Sequence, residues 1–155
     1  MTDAFSQPST PSSTPGLQRF VDAQNAGGTY AAAIEELRRG RKTSHWMWFV
    51  FPQIAGLGQS HMSRTYAISS LEEARAYLQH PVLGPRLLEC ASTVANSQAT
   101  SAEAIFGGID THKLRSSMTL FLRADPSQSV FKTVLDRYFR GAADSATDDL
   151  LQASR

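Results

Sequence analysis

The feature that most limits how this chain can fold is a helical spacing of apolar residues, repeated many times and punctuated by glycine, proline and hydroxyl side chains. The clearest case is Leu83, Leu87, Cys90, Ala91 and Val94, a stripe on one side of a 3.6-residue helix. Leu17, Phe20, Val21 and Gln24 keep the same spacing, with Gln24 as the polar end, and Gly27–Gly28 then breaks the chain. Thr29 suits the N-cap of a helix that carries Tyr30, Ile34 and Leu37 and is stopped by Gly40. Ser70 with Glu73 forms a capping box ahead of Leu71, Ala74 and Leu78; His80 ends that helix and Pro81 opens the next. Thr100 and Glu103 form a second box, for a short helix stopped by Gly107–Gly108. Asp110 is expected to cap a longer helix through Leu114, Met118 and Phe121, ending near Asp125–Pro126. Val130, Val134, Leu135 and Tyr138 mark a helix from Ser127 or Ser129, closed by Gly141. Ser145 and Asp148 start a last short one with Leu150 and Leu151.

These elements add up to about seven to nine helices with short links. No convincing strand pattern or internal repeat accompanies them. Trp46 to Phe51, an unbroken apolar run, suits a buried strand or a buried helical turn equally in its periodicity. The absence of a partner strand favours the helix. The expected fold class is therefore all-α: one compact multi-helix domain over residues 17–151. A Ser/Thr/Pro-rich tail over 1–16 is expected to be disordered, because it offers too little apolar surface to offset the entropy of ordering. Residues 152–155 are expected to form a C-terminal tail.

A chain of 155 residues can bury a sizeable single core. Its formal charge of +1, from 15 basic and 14 acidic side chains, argues against a dedicated nucleic-acid binder. The lone cysteine, Cys90, cannot close an internal disulfide, which fits a reducing, cytoplasmic setting. Cys90 falls on an apolar stripe, so it reads as a buried thiol and not a nucleophile. No basic start followed by an apolar run marks a signal peptide, and Trp46–Phe51 is too short to span a bilayer. No membrane partner is expected.

The chemistry concentrates in Arg38 to Gln53. Four of the five residues from Arg38 to Lys42 are cationic, Thr43, Ser44 and His45 follow, and both tryptophans lie at Trp46 and Trp48. Arg41 and Lys42 are suited to neutralise a phosphate or carboxylate. Ser44 can direct hydroxyl and amide hydrogens at an anion. His45 can donate a hydrogen bond or move a proton, and Trp46 or Trp48 can stack on a flat ring. The plainer alternative stays open: the aromatics are core, and the cations decorate a helix C-terminus, where the dipole favours them. A second polar set, His112, Lys113, Arg115, Ser116, Ser117 and Thr119, lies on the long helix. Its hydroxyls suit either a pocket lining or bonds to the helix backbone.

Sharper motifs fail. Gly40-Arg41-Lys42-Thr43 lacks the glycine spacing and preceding strand of a phosphate loop. Gly56-Leu57-Gly58 lacks the third glycine of a dinucleotide fingerprint. His45, His61, His80 and His112 show no metal-ligand spacing, and no cofactor is implied.

The run Gly40 to Gln53, with Gly56-Leu57-Gly58, Tyr66-Ala67-Ile68, His80 to Leu87 and Lys113 to Phe121, resembles the bacterial family called domain of unknown function 1810, some of whose members are labelled calpastatin. The resemblance covers residues 17–151. It implies a mainly helical single domain and no particular activity. It places the family's hallmark residues at Lys42, Ser44, His45, Trp46, Trp48, Pro52, Gln53, Lys113 and Ser116.

Two functional expectations follow. In the first, Arg41, Lys42, Ser44, His45, Trp46, Trp48, Gln53, Lys113 and Ser116 converge on a small anionic, nucleotide-like ligand. His45 is then the candidate acid or base if the site is catalytic. In the second, the Trp-rich segment is an exposed anchor for a protein partner.

Overall fold

The computed structural model describes residues 13–153. Nine α-helices run through them: α1 Ser13–Asn25, α2 Thr29–Arg39, α3 Met47–Val50, α4 His61–Thr65, α5 Leu71–Gln79, α6 Leu83–Ala95, α7 Ala102–Ala124, α8 Ser129–Phe139 and α9 Ser145–Ala153. The fold is all-α, and β pairing among the described residues is limited to an isolated parallel bridge between Ile54 and Ile68. There Ile68 N donates to Gln53 O at 2.8 Å and Ala55 N to Ile68 O at 2.8 Å. These two bonds pin together the ends of the loop that carries α4.

The long helix α7 is the hub, packed against α5, α8 and α9, while α6 packs on α2, α5 and α8. A run of rings crosses the core: Phe20 meets Tyr77 at 5.2 Å, Tyr77 meets Phe121 at 5.3 Å, and Phe121 meets Phe131 at 5.9 Å between centroids. Each belongs to an apolar helical stripe, and all four are fully buried. Edge-on and tilted ring contacts of this kind add about 0.5–1.5 kcal/mol per pair beyond simple burial.

Several element boundaries differ from expectation, each for a local reason. Helix α1 starts at Ser13 and not Leu17, since Pro15 is tolerated in a first turn. The rest of the expected tail, 1–12, lies outside the described residues, as do 154–155; residues 152 and 153 extend α9. Gly28, not Thr29, is the residue before α2, and the Thr29 hydroxyl turns back to Ala26 O at 2.7 Å. Ser101, not Thr100, caps α7, accepting from Ala104 N at 3.1 Å. The Ser70 cap holds, accepting from Glu73 N at 3.1 Å, but the Glu73 carboxylate reaches Ser69 N instead of closing a full box. Helix α8 closes at Arg140, one residue before Gly141, with φ 55°.

Trp46–Phe51 resolves as the single helical turn α3. Gln24, expected at a polar margin, is buried beneath it. Its amide donates to Phe49 O at 2.8 Å and to Tyr77 Oη at 3.2 Å, and its carbonyl accepts from Arg86 at 3.1 Å. Gly107 has φ 76° and ψ −179°, which bends α7 between a short leading piece and a long one from Gly108. Asp110, expected to cap the long piece, lies instead in its first turn. Among the described residues, no helix is long and apolar enough to cross a membrane.

Candidate functional site

Helix α2 ends on Gly40, whose φ of 79° reverses the chain towards the core. The loop that follows is folded around one buried carboxylate. Glu36, 5% exposed, accepts from Thr43 N at 2.8 Å, Ser44 N at 3.0 Å, Ser44 Oγ at 2.6 Å and Trp46 Nε1 at 2.9 Å. Burial pushes this carboxyl up, but the four hydrogen bonds outweigh it and hold its pKa at about 2. Lys42 N donates to Ile105 O at 2.8 Å and ties the loop to the leading piece of α7.

This fold of the loop swings the Lys42 side chain over the Trp46 ring, its ammonium 5.1 Å from the centroid. Lys42 Nζ then meets Asp110 Oδ2 at 2.9 Å. One turn along α7, Lys113 Nζ lies 3.6 Å from Asp110 Oδ1 and 5.2 Å from the Trp48 ring centroid. The bend at Gly107 turns the start of the long piece of α7 towards this loop. Between them opens a hollow of about 430 Å³. Lys42, His45, Asp110 and Lys113 supply its polar wall; Met47, Trp48, Phe106 and Ile109 supply its apolar wall. Ile109 is 76% exposed at the rim. A much smaller cleft adjoins it, sharing Met47, Trp48 and Lys113 and reaching Gln53, Ser63 and Tyr66. The Trp48 indole N–H is buried and has no acceptor among the described residues.

Of the residues singled out from sequence, Lys42, His45, Trp48 and Lys113 therefore share one hollow, and Gln53 lies in the adjoining cleft. The others do not line either. Ser44 and Trp46 face Glu36, where they shape the loop. Arg41 is exposed. Ser116 is buried with its hydroxyl on His112 O and Asp144 Oδ2, both at 3.1 Å, so it serves the junction with α9. Thr119 likewise bonds Arg115 O at 2.9 Å, so these two hydroxyls are backbone partners, whereas the buried Ser117 hydroxyl has no partner among the described residues.

Two residues of the site were missed. Asp110 was read as a helix cap, although its spacing of three from Lys113 already put the two on one face. Glu36 lies beside Leu37 on the apolar side of α2, and a carboxylate there was the available signal. No cluster of three or more metal-ligating side chains occurs among the described residues. Cys90 is buried against Tyr30, and burial pushes its thiol up to about 12.

The family described as "Protein of unknown function (DUF1810)" matches residues 14–151. The chain belongs to the DUF1810 family. A solved structure similar to it is that of a conserved hypothetical protein from Mycobacterium tuberculosis, 54% identical, with a TM-score of 0.85 over 88% of this chain and 96% of that one. No curated protein matches the chain. The DUF1810 match spans both halves of the site, from the loop after α2 to the long piece of α7.

Proposed function

We propose that this protein binds a small anionic ligand bearing a flat ring in the hollow between the α2–α3 loop and the bend of α7. The observation that carries this reading is the convergence of Lys42 and Lys113. They come from distant parts of the chain, yet meet on one carboxylate at 2.9 and 3.6 Å beside His45 and Trp48. Asp110 offsets one of the two ammonium charges, which leaves one positive charge for an anionic ligand. A hollow of about 430 Å³ lies within the usual range for small-molecule sites. The start of the long piece of α7 adds partial positive charge on the same side.

Another hollow, of about 380 Å³, lies between α5, α7 and α9; the Arg123 guanidinium in its wall is held by both oxygens of Asp148 at 2.9 and 3.0 Å, and Arg75 Nε donates to Ala124 O at 3.3 Å. His45 is the group in the hollow suited to proton transfer, and it is the candidate catalytic residue if the ligand is a substrate. A cytoplasmic setting goes with this reading, because Cys90 is a free thiol sealed in the core.

The test is a thermal-shift screen of nucleotides, sugar phosphates and carboxylates against wild type, Lys113→Gln and His45→Ala. A ligand that raises the melting temperature of wild type and loses the effect in Lys113→Gln supports the site. No shift with any compound overturns it. Ile109, exposed at the rim, favours a second reading, in which the same face anchors a protein partner. Capture of a partner that survives Lys113→Gln but is lost in Ile109→Ser would select it.

A further inference from the structure

The hollow carries its own counter-ion, and that limits what it can accept. The Asp110 carboxylate is held tightly by Lys42, at 2.9 Å, and loosely by Lys113, at 3.6 Å. The side chain of Lys42 is 8% exposed and that of Lys113 is 23% exposed. Lys42 is thus neutralised inside the protein, while Lys113 keeps contact with water and borders both the hollow and the cleft. Two ammonium groups and one carboxylate present an incoming molecule with a single net positive charge. In a partly buried site, an unmatched charge of either sign is costly. A neutral ligand displaces water from Lys113 and offers it no opposite charge. A dianion satisfies Lys113 and then sets its second charge against Asp110.

Resting on the ligand reading above, we propose that Asp110 is a charge selector. The hollow takes a flat-ring ligand with one negative charge, a carboxylate or a phosphodiester, in preference to the neutral or doubly charged counterpart. The ring is accommodated by Trp48, Met47 and Phe106, and the anion by Lys113 with the start of the long piece of α7.

The experiment compares ligands that share one ring and step in charge from zero to one to two, in two series whose other differences are unrelated. One series is adenosine, 3′,5′-cyclic AMP and AMP; the other is benzyl alcohol, benzoate and phenyl phosphate. Titrations at about pH 8, where a phosphate monoester carries two charges, follow tryptophan fluorescence and are checked by calorimetry. Wild type is expected to bind the monoanion of at least one series about tenfold more tightly than either relative. Asp110→Asn, with two net charges, is expected to move the preference to the dianion by about tenfold or more. Lys113→Gln, with none, is expected to lose the preference for the monoanion over the neutral member.

If Asp110 only braces the lysines, Asp110→Asn weakens all members alike and leaves their order unchanged, which overturns the charge selector while the ligand site stands. If Asp110→Asn does not fold, the order in Lys113→Gln decides: a retained monoanion preference overturns the proposal. If no member of either series binds wild type, the ligand reading fails and the selector with it.

Discussion

Glu36 keeps its charge in the interior by accepting four hydrogen bonds from the loop it organises. Replacing it with glutamine turns an amide towards donors that need an acceptor. Glu36→Gln is therefore expected to cost about 2–3 kcal/mol at neutral pH, measured by urea unfolding. The pH dependence has a definite sign. The carboxyl is held at about 2 in the folded protein against 4.5 ordinarily, so its contribution is full above 4.5 and is lost as pH falls from there to about 2. An unfolding series over that window should show a steep loss in wild type and a flatter one in Glu36→Gln. Equal slopes would remove Glu36 from this role. At the same scale, Trp48 borders the hollow while Trp46 is buried against Glu36. Trp48→Phe is expected to abolish any ligand-dependent fluorescence change, and Trp46 alone should stay silent to ligand.

At the scale of elements, the bend in α7 rests on a backbone conformation that only glycine adopts readily. A Cβ at Gly107 would meet nothing within 4 Å, so the cost of Gly107→Ala is all in the backbone, about 1–3 kcal/mol. Gly108 also has open space around it, but its φ is not left-handed. Gly108→Ala is expected to be neutral or stabilising by up to about 1 kcal/mol. Thermal melts of the pair check this; equal effects would mean the bend does not depend on Gly107. The position of this bend was legible in the paired glycines, and most helices were legible in their apolar spacing. Trp46–Phe51 was not, because a single apolar turn has no period to read. Lys42, His45, Trp48 and Lys113 were legible as chemistry, whereas Glu36 takes its role from how the loop after α2 folds back on it, and Asp110 from Lys42 arriving across the fold beside its neighbour Lys113. Ser44, Trp46 and Ser116 look like binding groups in sequence for the same reason: hydroxyls and indoles that brace a loop are the same residue types that hold a ligand.

For the whole molecule, Cys90 offers a measure of integrity. Its thiol is fully buried and pushed up to about 12, so it reacts only when the structure opens. Labelling of native protein is expected to proceed at a rate set by global unfolding, matching the stability found by denaturant titration; fast labelling under native conditions would mean that α2 and α6 part locally. The bridge between Ile54 and Ile68 has a different consequence. The backbone leaves the helical body and returns to it through neighbouring hydrogen bonds, so the excursion between them is tethered at its base. Lengthening a tethered excursion raises its closure entropy only logarithmically. A reporter peptide grafted after Gln59, which is exposed and lies ahead of the Ser60 cap, would ride on the surface as a handle while the helices beneath remain seated.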